Sequence, residues 1–236
     1  MAPTEHIVAS FDRDLEAIQA SIMRMGGLVE DAIAKAAQAF STRDPELARR
    51  VREGDGAIDA LDAQINEEAA RIIAQRQPIA SDLRTILTVF RISANLERIG
   101  DYAKNIAKRS EAIMDQPPVE GTGASLRRMA RQVELMLKDV LDAYIQRDAD
   151  LATDVRERDI EVDQMYSALF REYLTFMMED PRNITTCMHL HFMAKNIERM
   201  GDHTTSIAEQ VIYLVTGEMP DEERPKQDNV PKAGTL

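Results

Sequence analysis

The sequence predicts an all-α protein: six long helices forming two tandem, pseudo-two-fold-related three-helix bundles. Three observations lead there. Apolar residues recur at alternating spacings of three and four through most of the chain, as on helix faces packed against one another. One stretch is written twice, NLERIGDYAKNIAKR at 95–109 and NIERMGDHTTSIAEQ at 196–210. A run rich in proline and glycine, DQPPVEGTGA at 115–124, divides the chain near its middle.

The first helix carries the seam Phe11, Leu15, Ile18, Ile22, Met25, Val29, Ala32, Ala36 and Phe40. Gly26-Gly27 interrupts it and is expected to bend it, and it ends near Ser41. Asp44 then Pro45 give an N-cap and a first turn. The second helix follows with Leu47, Val51, Ile58, Leu61, Ile65, Ala69 and Ile72, and stops before Pro78. Ser81-Asp82 open the third, which carries Val89, Ile92, Leu96, Ile99, Ala103 and Ile106 and runs to about Asp115. After the linker the pattern restarts with Leu126, Met129, Val133, Met136, Val140 and Tyr144. Arg147-Asp148 echoes Arg43-Asp44 and starts a fifth helix on Leu151, Val155, Val162, Met165, Leu169, Tyr173 and Phe176. Pro181-Arg182-Asn183 breaks it. The sixth helix carries Leu190, Met193, Ile197, Met200, Thr204, Ile207, Val211 and Leu214, with Gly217 as its C-cap. The expected boundaries are 6–115 for the first bundle, 116–124 for the linker, 125–217 for the second bundle and 218–236 for a disordered tail.

The duplication extends past the motif: VREGDGAID at 51–59 matches VRERDIEVD at 155–163 at an offset of 104, whereas the motif copies are offset by 101. The second half is therefore shorter at the turn before its third helix. A repeat of about 100 residues is too long for a solenoid unit.

Composition narrows the function. With 29 basic and 41 acidic side chains, the net charge of −12 argues against nucleic acid as the main partner and favours cations or a basic surface. One cysteine, Cys187, permits no internal disulfide and fits a reducing compartment. The N-terminal stretch has neither the basic region nor the apolar core of a signal peptide, and no apolar run is long enough to span a membrane. Membrane association is expected only through a partner.

Each motif copy holds Glu-x-x-x-Asp, namely Glu97/Asp101 and Glu198/Asp202, two carboxylates one helical turn apart beside the apolar stripe. The second helix of each half adds Asp55/Asp59 and Asp159/Asp163. If these helices are antiparallel neighbours, each half converges four carboxylates, which repel unless a cation sits among them. Oxygen-only sets suit hard ions such as Mg²⁺, Mn²⁺, Ca²⁺ or iron. The competing explanation is a solvated face whose acids pair with Arg98, Lys104 or Lys108. Ferritin-like di-iron bundles need Glu-x-x-His, and Gly100 and Gly201 stand where that histidine would be. Those glycines suggest close helix approach. His191, on the same line as Glu198, is either an extra ligand or an ordinary half-buried histidine, as its counterpart Phe90 suggests. His189 and His203 read as surface or supporting residues. Asn95 and Asn196 are expected to hydrogen-bond across the bundle. No catalytic triad, phosphate-cradling loop, Cys-x-x-Cys or nucleotide fingerprint is present.

The doubled N-[LI]-E-R-[IM]-G-D element, the repeated three-helix pattern and the ending IYLVTGE together closely resemble the PhoU family, from about His6 to Glu218. The resemblance implies a cytoplasmic, non-enzymatic negative regulator of bacterial phosphate uptake and of the phosphate-starvation response. Its implied partners are the ATPase subunit of the high-affinity phosphate ABC transporter and a sensor histidine kinase, and it implies a homodimer. It also implies metal ions, with iron, Mn, Mg, Zn and Ca all open. The ligands would be Asp55, Asp59, Glu97 and Asp101 in one half and Asp159, Asp163, Glu198 and Asp202 in the other. The alternative is a metal-dependent helical-bundle enzyme or a metal-storage protein using the same carboxylates.

Overall fold

The computed structural model describes residues 3–119 and 121–220, with side chains from residue 13 onward. Six helices follow in order: α1 (Pro3–Thr42), α2 (Pro45–Arg76), α3 (Ser81–Ile113), α4 (Thr122–Gln146), α5 (Ala149–Glu179) and α6 (Ile184–Thr216). A short 3₁₀ turn, Pro181–Asn183, precedes α6, and no strand occurs among the described residues. The expected seam position Phe11 and most of the expected tail, 221–236, lie outside the described side chains and residues.

The Arg-Asp echo is a turn built the same way twice. Arg43 and Arg147 both take the left-handed conformation at φ 52°, and the following aspartates cap the next helix. Asp44 Oδ1 accepts from Leu47 N at 2.9 Å, and Asp148 Oδ1 accepts from Asp150 N and Leu151 N at 3.0 Å. Each cap satisfies amides that the first helical turn leaves without a partner. Gly217 closes α6 at φ 85°, as expected.

Helix α3 opens at Ser81, as expected, with Ala80 before it at φ 49° and no side-chain cap bond. One helix start differs from expectation. Helix α4 begins at Thr122 within the expected linker, because Gly121 supplies a φ of 84° and the Thr122 hydroxyl donates to Val119 O at 2.8 Å. Gly26-Gly27 does not break α1. Gly26 instead lets Leu141 of α4 lie against the α1 backbone, where a side chain on α1 would collide with it.

Helix α3 packs on α6 and α1 on α4, while α2 fills the angle between α1 and α3 and α5 that between α4 and α6. The helices α2, α3, α6 and α5 therefore lie side by side as one layer, with α1 and α4 behind. Every pairing has its counterpart under exchange of the halves. Helices α3 and α6 run antiparallel: the Arg109 guanidinium sits 4.3 Å from the Phe192 ring at one end, and Asn95 meets His203 at the other. The seams of α2, α3, α4 and α6 are buried at every expected position, and both halves contribute to a single core. No helix among the described residues is long and apolar enough to cross a membrane.

Candidate metal centre

The layer brings the duplicated carboxylates together between α2 and α3 and between α5 and α6. In the first half the approach is close because Gly100 has no side chain. A methyl there would stand 2.9 Å from Ile58 Cδ1 and 3.8 Å from Asp55 Oδ1. The sequence pattern puts Asp55 at the edge of the bundle, but α3 covers it and it is only 4% exposed. A charge this deep needs a counter-charge, and Lys104 supplies it. Its Nζ donates to Asp55 Oδ2 at 2.5 Å and lies 3.7 Å from Asp101 Oδ1. Arg98 reaches Glu97 at 3.3 Å and Asp101 at 3.6 Å. Lys108 forms no ion pair among the described residues.

The four acids feel one another. Burial, then the charges of Asp55 and Asp101, push the Asp59 carboxyl above its ordinary range, against the pull of Lys104. Glu97 is raised by burial first, with Asp101, Asp59 and Asp62 adding to it against Arg98. Asp62 is a member the sequence reading missed, one turn beyond Asp59. Its Oδ2 accepts from Asn66 at 2.9 Å, while its Oδ1 is buried with no hydrogen-bond partner among the described residues.

The second half is related but not identical. Asp159 is 7% exposed, and a methyl on Gly201 would stand 2.9 Å from its Oδ1. Gly201→Ala is therefore expected to force α5 outward and destabilise the fold by about 1–2 kcal/mol. Chemical denaturation of Gly201→Ala against the wild type measures this. Thr205 occupies the position of Lys104 and turns its hydroxyl back to Gly201 O at 2.9 Å. The ammonium here comes from Lys195, whose counterpart is Ala94, and it meets Glu198 Oε1 at 2.6 Å. Glu198 Oε2 is buried with no hydrogen-bond partner among the described residues. Burial raises the Glu198 carboxyl; Lys195 opposes this, and Asp202 and Asp163 reinforce it.

Each cluster thus holds one lysine where its counterpart holds none, and retains carboxylates whose negative form burial disfavours. Among the described residues no three ligating side chains converge closely enough to hold a metal. The donor chemistry nonetheless fits a hard cation. Every candidate ligand is a carboxylate oxygen, the buried Glu198 oxygen is unsatisfied, and added positive charge would relieve the raised acids.

Asn95 and Tyr102 of one motif copy and His203 of the other meet on the α3–α6 seam. His203 Nδ1 lies 2.7 Å from Asn95 Oδ1, and its ring is 5.6 Å from that of Tyr102. Burial lowers its basicity, with Arg98 and Arg199 contributing, against the pull of Asp202. Asn95 thus bonds between the halves, as expected, whereas Asn196 makes no such bond among the described residues. His191 is surrounded by the rings of Tyr166, Phe170 and Phe192 at 5.9, 5.3 and 5.7 Å, the setting of a packed aromatic residue.

A family model described as the PhoU domain matches residues 22–110 and 126–211, one copy over each half and each containing one motif copy. The chain belongs to the PhoU family. Its PhoU relatives cover nearly its whole length. It is 46% identical over 231 residues to a phosphate-specific transport system accessory protein PhoU homolog of Rhizobium meliloti, covering 98% of both chains. It is 47% identical to the homolog from Caulobacter vibrioides strain NA1000, covering 95% of this chain and 98% of that one. The crystal structure of PhoU from Pseudomonas aeruginosa superposes with a TM-score of 0.86 at 40% identity, covering 88% of this chain and all of the other. That of the phosphate transport system regulatory protein PhoU from Streptococcus pneumoniae gives 0.83 at 30% identity, covering 89% and 99%. These PhoU likenesses assign the chain a role in the regulation of phosphate transport.

Proposed function

We propose that this PhoU-family chain is a cytoplasmic adaptor that represses the phosphate-starvation response when phosphate is plentiful. It acts by contact with the ATPase subunit of the phosphate transporter and with a sensor histidine kinase, not by catalysis. The observation that carries this is end-to-end similarity to phosphate transport accessory proteins, over 98% of the chain for the Rhizobium meliloti homolog. A homodimer is part of the proposal.

We further propose that cations are held on the outer layer, by Asp55, Asp59, Glu97 and Asp101 in one half and by Asp159, Asp163, Glu198 and Asp202 in the other. A bound cation would supply positive charge that cancels local repulsion and fixes the facing surfaces of α2 and α3, and of α5 and α6. The residues of the chain do the rest. Gly100 and Gly201 let the helices close, Lys104 and Lys195 neutralise one carboxylate each, and the Asn95–His203 bond ties one motif copy to the other. Deleting the gene is expected to leave starvation genes active in phosphate-rich medium, read by a reporter for such a gene. Affinity purification of the tagged protein should recover the transporter ATPase or the kinase. Continued repression in the deletion strain with neither partner recovered would contradict the adaptor role.

A further inference from the structure

The duplicated motif carries one charged residue that is not an acid. Arg98 and Arg199 hold the same place in the two copies, one on α3 and one on α6. Both lie beside the seam where the copies touch. There His203 bonds Asn95 at 2.7 Å and packs its ring 5.6 Å from that of Tyr102. Arg199 stands 6.0 Å from the Tyr102 ring, and both guanidiniums lie close enough to His203 to disfavour its protonation. Two cations thus approach one polar centre from two helices. Taken at helical spacing, the seam positions run from Arg91 through Arg98 to Arg109 on α3 and from Phe192 through Arg199 to Ser206 on α6. None of them is a carboxylate, in a protein of net charge −12. The clustered acids lie instead between α2 and α3 and between α5 and α6, on either side.

The charge on this seam is available. Arg199 is exposed and forms no ion pair among the described residues. Arg98 is 59% exposed and reaches Glu97 and Asp101 at 3.3 and 3.6 Å. Both distances exceed the about 2.7–2.9 Å of a charge-assisted bond. The acid that acts on His203 is its chain neighbour Asp202, which belongs with Glu198 and Asp163 to the second carboxylate cluster. An acceptor is available too. Asn95 Nδ2 donates to Arg91 O at 2.7 Å, which fixes Asn95 Oδ1 as an acceptor. His203 Nδ1 therefore carries the ring proton and donates to it, and the neutral ring keeps a lone pair on Nε2. Nε2 has no hydrogen-bond partner among the described residues.

We propose that the middle of the α3–α6 seam, between Arg98 and Arg199, is an oxyanion site that takes inorganic phosphate. A guanidinium presents a planar fork of donors that matches two oxygens of a tetrahedral oxyanion at once. Two such forks and one neutral imidazole supply donors and an acceptor together. Above neutral pH, phosphate is a dianion that still carries one proton, so it accepts from the arginines and donates to Nε2. Sulfate has the same shape and charge but no proton to give, and an ionised carboxylate of a partner likewise brings only acceptors. The exposed arginines and the acidic chain around them keep the affinity low, with a Kd on the order of 1 mM. Occupancy then follows the phosphate concentration over that range. The site deepens the phosphate-regulatory reading and rests on it for its purpose. Binding by the purified chain and repression in the cell are measured separately, so either can fail alone.

The test titrates the full chain with inorganic phosphate at about pH 8, where histidine is neutral, at constant ionic strength. Side-chain NMR signals of the arginines report binding. Those of Arg98 and Arg199 are expected to shift saturably, and sulfate should bind at least about threefold more weakly. Arg98→Gln or Arg199→Gln should weaken phosphate binding at least about tenfold, read on the arginine that remains. His203→Phe should bring phosphate down to the level of sulfate and leave sulfate unchanged, a result that loosened packing would not give. Arg50→Gln, exposed on α2, should change nothing. Circular dichroism checks the fold of each variant, and the exposed Arg199→Gln carries the test if His203→Phe loses helicity. Absence of a saturable shift up to about ten times the expected Kd, equal binding of phosphate and sulfate, or affinity indifferent to Arg199→Gln would overturn the proposal. So would a polyglutamate peptide that shifts both arginines where phosphate does not, which would assign the seam to an acidic partner.

Discussion

Lys104→Met is expected to destabilise the metal-free protein by about 2 kcal/mol near neutral pH. Breaking a buried ion pair by removing one partner costs about 3–5 kcal/mol, because the other charge stays buried alone. Asp55 is that charge, at 4% exposure. The loss is scaled down because Lys104 itself is 42% exposed and water can follow into its place. Hydrogen bonding to Asp55 raises the Lys104 ammonium above its ordinary value. Its contribution is therefore complete below the ordinary lysine pKa and is lost only as pH rises through the raised folded value. Urea denaturation followed by circular dichroism reads the change. If the lysine stands where a cation would, millimolar Mn²⁺ or Mg²⁺ should restore at least about 1 kcal/mol to Lys104→Met by binding only the folded state. Unchanged stability of the variant, or no recovery with either ion, would contradict the view of this cluster as a cation site neutralised by its own lysine.

Glu198→Gln should do the reverse. The Glu198 carboxyl is raised mainly by burial, so its charged form is a liability in the metal-free protein. The amide removes that charge and is expected to stabilise the metal-free fold. It should also weaken cation binding by about tenfold or more. The same logic sets the pH dependence. Asp59, Glu97 and Glu198 all have folded values above their ordinary range, so the folded state binds more protons than the unfolded one. Stability of the metal-free protein should then rise as pH falls from neutrality through these raised values toward the ordinary carboxylate range near about 4. With metal bound the slope should invert, because protons displace the cation. Thermal unfolding across that pH range, with and without metal, distinguishes the two slopes.

The helices and their buried faces were legible in the sequence because each seam obeys one local rule. Asp44, Asp148 and Gly217 marked helix ends through chemistry that acts within one turn. What stayed hidden depends on neighbouring helices. Asp55 reads as a flanking residue on its own helix, and only α3 crossing at Gly100 buries it. The bond from Lys104 to Asp55 joins residues 49 apart. Asp62 enters the first cluster because α2 lies against α3, and no repeat announced it, since Tyr166 holds its place in the second half. Ala80 at φ 49° offered no turn residue to read.

The central claim is that the duplicated carboxylates hold cations. Elemental analysis of protein purified without added metal tests it most directly. The wild type should carry metal. Glu97→Gln with Asp101→Asn should lower the content by about half, because the second site is untouched, with circular dichroism checking that helicity is retained. Glu198→Gln with Asp202→Asn should lower it by about the other half, and all four substitutions together should abolish it. Metal-free wild-type protein, or a metal content that none of these substitutions changes, would contradict the claim.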